Sequence, residues 1–428
     1  MLGPQGGGAL VMSRFVIEGG NPLEGVYPIQ GNKNAALPLL AAALLASRTR
    51  LERVPRIRDV QNMIRIIEAL GARVEWEDDS LQLTAPAEPN PHLPRELVLQ
   101  LRGSVLLLGV LLPQVEELEA PLPGGCPIGR RSLETHWRVF RAAGYEVEEA
   151  FQQVRIKRVR RVATPCVYLP EASVTATENA LLLFARDGGV IENPAREPHV
   201  LDLVAFLQVL GVEIILEPTR FVVRGRPGKP REARFRVSPD YIDAGTAAIA
   251  ALVTCGKLDL RPVSRRELLG IAELLELFGA RLTWHSEGAV VERGDSELLS
   301  PGKITAAPWP GFPTDLTSLA VVLATQARGQ CLIHDWLYES RMFFVDKLVR
   351  MGANLTLCDP HRVLVAGPTR LRGTRLESPD IRAGMALLVA GLCAEGTTVI
   401  EHAEVVERGY EAVAERFTAV GARINEVD

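Results

Sequence analysis

The sequence predicts an α/β protein of two domains, each built from three repeats with sheets outside and apolar helices within. Three observations predict this. The chain has 428 residues, 47% of them hydrophobic, which is too much for one ordinary core and fits two large domains. Six segments share one layout of amphipathic helix, glycine pivot and strand pair: NMIRIIEALGARVEWEDDSLQLTAP, WRVFRAAGYEVEEAFQQVRIKRV, VLDLVAFLQVLGVEIILEPTRFVVRG, LLGIAELLELFGARLTWHSEGAVVERG, MFFVDKLVRMGANLTLCDPHRVLVAG and YEAVAERFTAVGARINEVD. Between them run six other segments that are apolar on every side, the pattern of buried helices.

Each element follows from its local chemistry. The first strand, SRFVIEGG, alternates apolar and polar residues but has no local partner, so it is assigned to the later repeats and the chain crosses between domains twice. The apolar helices NKNAALPLLAAALL, RGSVLLLGVLL, TATENALLLFA, DAGTAAIAALV, PTDLTSLAVVLATQA and DIRAGMALLVAGLCA each open on polar residues of the kind that cap helices. The amphipathic helices stop at Gly71, Gly144, Gly211, Gly279, Gly352 and Gly421, spaced 73, 67, 68, 73 and 69 residues apart. Glycine suits those positions because a helix commonly ends on a left-handed residue. The strand pairs that follow alternate as half-buried strands do. The repeat is therefore about 70 residues, grouped three plus three. The break falls at the Pro/Arg-rich stretch RPGKPREARFRVSPDY, residues 226–241. This gives a first domain over 33–235, a second over 12–32 plus 236–428, and a disordered Gly-rich tail over 1–11 with Met12 as the start.

Composition excludes several classes of function. The net charge is −4 with Lys and Arg scattered along the chain, which argues against nucleic acid. The longest apolar run, Ala35 to Ala46, falls short of the roughly 18 residues a membrane span needs. No signal peptide is expected. The six cysteines (126, 166, 255, 331, 358 and 393) show no CxxC spacing and no nearby histidine cluster, so neither disulfides nor a metal site is expected. Cys255, Cys331 and Cys393 lie in apolar runs and read as small core hydrophobes in a reducing cytoplasm.

The starts of the apolar helices carry the chemistry. A helix N-terminus presents free N–H groups and partial positive charge, and several such ends aimed at one cleft would surround an anion. These starts carry Lys33 and Asn34, Arg102, Ser173 to Thr177, Thr314 with Asp315, and Arg382. Ordinary capping accounts for Ser173, Thr177, Thr314, Asp240 and Asp243. Lys33, Arg102 and Arg382 oppose the helix dipole and call for an anionic ligand or a buried carboxylate partner. One more stretch stands out: PLPGGCPIGRR, residues 121–131, holds Cys126 on a sharply punctuated loop beside two arginines. Such charge lowers a thiol's pKa, and spacing alone leaves open a reactive cysteine or one without a role.

IQGNKNAALPLLAAALLA, LPGGCPIGRR, FPTDLTS, DIRAGMALLVAGLCAEGTTVI and ERGYE together resemble the enolpyruvyl transferases, and among them those acting on UDP-N-acetylglucosamine, from about Met12 to the C-terminus. The resemblance implies two inside-out α/β barrel domains. It implies transfer of the enolpyruvyl group of phosphoenolpyruvate to the 3′-hydroxyl of UDP-N-acetylglucosamine by addition and elimination, with release of phosphate. That reaction is the first committed step of peptidoglycan synthesis, in the bacterial cytoplasm, by a monomer without metal or cofactor.

By the same resemblance, Cys126 is the proton donor to the methylene carbon and the residue alkylated by fosfomycin, on a loop that closes as a lid. Lys33, Arg131 and Arg408 hold the phosphate, Arg382 and Arg408 respond to closure, and Arg341 shapes the site. Asp315 contacts the sugar hydroxyl and takes its proton, although a carboxylate ringed by cations is a weak base, so orientation and charge stabilisation weigh more. UDP-sugar contacts carry over to Asn34, Arg102, Arg131, Ser132, Leu133, Glu134, Thr135, Ser173, Val174, Asp315 and Leu337. The sequence departs from the pattern at Glu134, where the family commonly has Asp, and at Thr175, where it usually has Gly. Two alternatives share the architecture: the sister enzyme acting on shikimate 3-phosphate, which lacks the loop thiol, and an inactive UDP-sugar-binding paralogue, expected to have lost some of the charged residues.

Overall fold

The computed structural model describes residues 13–124, 132–294 and 297–427. The expected tail over 1–11 and Met12 lie outside the described residues. Among the described residues there are six sheets, five of four strands and one of three. Their buried residues contribute to two separate hydrophobic cores. One core is built on the helices Lys33–Ala43, Leu106–Leu111 and Val174–Asp187, the other on Tyr241–Val253, Thr317–Thr325 and Ile381–Cys393. These are the all-round apolar segments. Ala and Leu give them helix propensity, and having no polar face they are stable only when enclosed.

All six pivot glycines have positive φ, from 89° at Gly211 to 100° at Gly421. A side chain there would be strained, so the pivots are set by backbone geometry. The three-stranded sheet differs from the other five. Each other sheet has an edge strand running parallel to its neighbour. At the corresponding place beside Glu117–Pro121 lies the short helix Arg95–Gln100. Pro89, Pro91 and Pro94 lead into it, and their missing N–H groups unfit the segment for a ladder.

The ends of the chain join the second core. Arg14–Glu18 pairs antiparallel with both Thr397–Glu401 and Arg423–Val427, and Glu24–Pro28 runs parallel to Lys257–Arg261. In the opposite direction, Glu232–Arg236 runs parallel to Arg48–Glu52 in the first half. The two crossing segments lie side by side: Asn32 N–H donates to the Ser238 carbonyl at 2.9 Å and Asp240 N–H to the Gln30 carbonyl at 2.9 Å. Gly31 sits between them so tightly that a Cβ would lie 1.9 Å from the Arg53 carbonyl oxygen.

The cysteine expectation needs one correction. Cys331 is buried and Cys393 half-buried, but Cys255 is exposed, at φ 54°. The helix has ended at Thr254, and the left-handed turn that follows carries the thiol out of the apolar run. No helix among the described residues is long and apolar enough to cross a membrane.

Candidate active site

Where the two halves meet, two carboxylates each hold two cations. The first is Asp59, in the first turn of helix Arg58–Ala69. Its Oδ2 lies 2.9 Å from Lys33 Nζ and its Oδ1 3.0 Å from Arg408 Nε. Arg408 ends the 3₁₀ turn Ala403–Arg408 and reaches across from the second half, where it also donates to the Gln100 carbonyl at 3.1 Å. Burial works to raise the Asp59 pKa, but Lys33 and Arg408 outweigh it and hold the carboxyl below its usual range.

The second carboxylate is Asp315, in the 3₁₀ turn Thr314–Leu316. Arg341 approaches its Oδ1 at 3.1 Å, and Arg382 bonds Oδ2 through both Nε, at 3.1 Å, and a terminal nitrogen, at 2.8 Å. Both guanidiniums are nearly sealed, with side chains 2% and 7% exposed, while Asp315 keeps 27%. Burial again pushes the carboxyl up, but Arg382 and Arg341 prevail, with a further contribution from Lys33, and its pKa is well below normal. That Lys33 acts on Asp315 places the two groups in one electrostatic neighbourhood. Gly409 links them physically: a Cβ there would stand 2.6 Å from Ile381 at the start of the Arg382 helix and 3.7 Å from Lys33 Nζ.

Helix caps hold these side chains. Asn32 accepts from the backbone N–H of Asn34 at 3.0 Å and Ala35 at 3.3 Å, presenting Lys33 and Asn34 at the first helix start. Asp380 does the same for Arg382 and Ala383, at 2.8 and 3.1 Å. Asp240 caps its own helix through Oδ1 and takes the Lys33 N–H on Oδ2 at 3.3 Å, tying two helix starts from different halves together. Pro38, inside the first helix, has no N–H to offer the Asn34 carbonyl four residues earlier.

The residues expected to hold the nucleotide sugar lie along the first half. Arg102 donates to the Ser132 carbonyl at 3.4 Å, and the Ser132 hydroxyl accepts from the Glu134 N–H at 3.1 Å. Leu133 is buried, and Glu134 and Thr135 open helix Glu134–Ala142. The Glu134 carboxylate pairs with Arg141 at 2.7 Å. Ser173 and Val174 open helix Val174–Asp187. Thr175 contributes a hydroxyl 3.1 Å from His136 Nε2, while Asn179 Nδ2 sits 2.8 Å from Nδ1. Burial first, then Arg102, depress the His136 pKa to about 3, so the ring is neutral. Asn179 accepts from the Gly109 N–H and donates to the Val105 carbonyl, which fixes its amide as donor to Nδ1. The proton then sits on Nε2 and is donated to Thr175. From the second half, Leu337 N–H donates to Asp335 Oδ1 at 3.0 Å, and the hydroxyls of Thr314 and Thr317 donate to Oδ2 of the same residue. Asp335 thereby ties the Asp315 turn to the Leu337 loop.

Cys126 and Arg131 lie outside the described residues. Several of the capping expectations need correcting. Ser173 occupies the N-cap position but makes no side-chain cap bond, and Thr177 is inside the helix, donating to the Ser173 carbonyl at 2.8 Å. Thr314 binds Asp335 instead of capping. Asp240 is a true cap, whereas Asp243 is wholly buried against Arg416, at 2.7 and 3.0 Å. At Thr314 and Asp243 a tertiary partner outcompetes the local amide, whereas Thr177 bonds back to its own helix and accepts from the Ala195 N–H. For Lys33 and Arg382 a carboxylate partner is present, the buried Asp59 and the half-buried Asp315. Sequence reading missed Asp59 and Asp335, because an acid in a first helical turn or beside a strand end looks unremarkable. It also missed Glu178, buried, and Glu197, half-buried: burial pushes both carboxyls upward in pKa, Glu197 adds to the rise at Glu178, and each has one oxygen without a partner.

Comparison with known proteins adds to this geometry. A family model described as EPSP synthase (3-phosphoshikimate 1-carboxyvinyltransferase) matches residues 17–417. A UDP-N-acetylglucosamine 1-carboxyvinyltransferase of Bradyrhizobium diazoefficiens is 42% identical over 424 residues, covering 97% of this chain and 98% of that protein. Its namesake in Treponema denticola is 38% identical over 427 residues, covering 96% and 99%. Among solved structures, the enolpyruvyl transferase NikO from Streptomyces tendae shares the fold with a TM-score of 0.87 at 24% identity, covering 97% of this chain and 99% of that one. EPSP synthase from Acinetobacter baumannii shares it with a TM-score of 0.74 at 18% identity, covering 97% and 100%.

Proposed function

The chain belongs to the enolpyruvyl transferase family, on the branch of the UDP-N-acetylglucosamine 1-carboxyvinyltransferases, and from that premise we propose how its residues carry the reaction. The enolpyruvyl group of phosphoenolpyruvate passes to the 3′-hydroxyl of UDP-N-acetylglucosamine. The sugar hydroxyl gives up its proton by way of Asp315 as its oxygen bonds to the central carbon of phosphoenolpyruvate, while Cys126 delivers a proton to the methylene carbon. Loss of a proton from that carbon and of phosphate then restores the double bond on the sugar ether. The product feeds peptidoglycan synthesis in the cytoplasm.

The observation that carries this reading is the pair of cation clusters facing one another, Lys33 and Arg408 around Asp59 and Arg341 and Arg382 around Asp315. A substrate with a phosphate and a carboxylate needs cations at two places, and arginine's planar fork suits both. Lys33 and Arg408, with Arg131, take the phosphate. Asp315 orients the sugar hydroxyl; two guanidiniums hold its pKa down, which makes it a poor base and a good positioning group. Cys126 supplies the methylene proton. Asn34, Arg102, Ser132 to Thr135, Ser173, Val174 and Leu337 take the nucleotide sugar. Side chains supply the charge stabilisation in this scheme, so it calls for neither metal nor cofactor, and a monomer contains every residue it uses.

The two cores are read as inside-out barrels of three repeats each, the first domain spanning 33–235 and the second 12–32 plus 236–428. The strand registers at Arg14–Glu18 and Glu24–Pro28 support that division.

The test is release of phosphate from phosphoenolpyruvate by the purified protein. Release that requires UDP-N-acetylglucosamine, ignores shikimate 3-phosphate and nearly vanishes in Cys126→Ala supports the reading. No release across several pH and salt conditions favours a binding-only paralogue.

A further inference from the structure

Asp59 has no part in the chemistry above, yet its surroundings are unusual. Its side chain is 6% exposed and each oxygen takes a different cation, one from each half of the molecule. Lys33 comes from a helix start in the first half and Arg408 from a 3₁₀ turn 349 residues away from Asp59. Helix Arg58–Ala69 has Ile57 at its N-cap with no side-chain cap, so the carboxylate in its first turn also meets the positive end of the helix. A buried carboxylate so surrounded is fixed in place, and in turn fixes the distance between the two cations it holds.

We propose that Asp59 is a positioning residue for the anionic substrate: it clasps Arg408 beside Lys33 across the cleft, setting the spacing of the phosphate-binding cations before phosphate arrives. This rests on the functional reading above and deepens it. Three features support it. The charge arithmetic leaves a surplus: two cations and one carboxylate sum to +1, so the cluster still attracts an anion. The donors are not exhausted either. The Lys33 ammonium has three N–H bonds and gives one to Asp59, and Arg408 commits Nε to Asp59 and one terminal nitrogen to Gln100. Phosphate can therefore be bound while Asp59 keeps its hold. Finally, Gly409 lets the chain after Arg408 pass close against Ile381, where a Cβ would stand 2.6 Å away, and beside Lys33. The neighbouring Arg58–Glu407 pair, 3.7 Å apart and more exposed, crosses the same boundary as a weaker clasp.

The account predicts that losing the Asp59 charge separates the two cations without touching the nucleotide sugar. Asp59→Asn keeps the shape and removes the charge. It should raise KM for phosphoenolpyruvate by about tenfold or more, leave KM for UDP-N-acetylglucosamine within about twofold, and give the ligand-free protein a larger radius of gyration by small-angle scattering. Asp59→Glu, which retains the charge, should recover part of the loss, and it serves alone if the Asn variant does not fold: its KM for phosphoenolpyruvate should rise while the other KM holds. Equal shifts in both KM values, or unchanged KM values with unchanged scattering, would overturn the proposal. If the wild-type protein releases no phosphate, the functional reading fails by itself. Scattering, which needs no turnover, then decides the clasp: an unchanged radius in Asp59→Asn refutes it.

Discussion

The two carboxylate clusters look alike in chemistry and differ in where their members come from. Asp315, Arg341 and Arg382 all belong to the part of the chain packed on the second core, and their geometry is set within it. Asp59 and Lys33 belong to the first core, and Arg408 reaches them from the second. The Asp315 cluster is preformed within one half, and the Asp59 cluster exists only while the halves are together. In the scheme proposed above, a site split this way would keep the orienting Asp315 rigid and make part of the anion binding depend on the two halves being together.

The largest expected effect breaks the preformed cluster. Asp315→Ala leaves two nearly sealed guanidiniums without their partner, and should destabilise the protein by about 3 kcal/mol in denaturant unfolding, since breaking a buried ion pair strands the remaining charge. Phosphate release should fall by at least about a hundredfold, because the group that orients the sugar hydroxyl is gone. A loss of activity without loss of stability would show that the guanidiniums find water or another partner, and the contrast between the clusters would weaken.

An intermediate effect sharpens the comparison by acid–base sign. Asp59 and Asp315 have depressed pKa values, so the stability they contribute is present above the unfolded carboxylate pKa of about 4 and is lost as pH falls below it. Glu178 and Glu197 behave oppositely. Burial raises both, the folded state holds their protons more tightly, and stability falls as pH rises through and above the unfolded value. Glu178→Gln removes one such cost, so its gain in Tm over wild type should be larger at pH 8 than at pH 5. A gain that is equal at both pH values, or a loss at pH 8, contradicts this sign.

A smaller effect concerns the nucleotide side. Thr175→Val deletes the hydroxyl that accepts from His136, and should raise KM for UDP-N-acetylglucosamine by about fivefold, in line with one hydrogen bond, while Thr175→Ser stays near wild type. An unchanged KM in the Val variant would mean that the helix start holds its place through Asn179 and packing alone.

Much of this was legible in the sequence, for physical reasons that differ by region. The pivot glycines were readable because backbone strain permits few substitutes, and the buried helices because an all-apolar segment has only one stable place. Lys33 and Arg382 stood out as positive charges at helix starts, where the dipole disfavours them. Asp59 did not, because an acid in a first turn is ordinary and its importance comes from a partner 349 residues away. Thr177, Thr314 and Asp243 were read as caps because local hydrogen bonding is the default; long-range partners displaced it at Thr314 and Asp243, while Thr177 lies one turn inside its helix and bonds back to the Ser173 carbonyl. The helix at Arg95–Gln100 replaces a strand for the sake of three prolines that the repeat pattern alone did not weigh.

The most direct measurement is a crystal structure with phosphoenolpyruvate and UDP-N-acetylglucosamine bound, read at the phosphate. The account predicts Lys33 and Arg408 both within hydrogen-bond distance of phosphate oxygens, Asp59 still between them, and the sugar hydroxyl beside Asp315. A phosphate bound away from Lys33, or Arg408 turned out to solvent with both substrates in place, would contradict it.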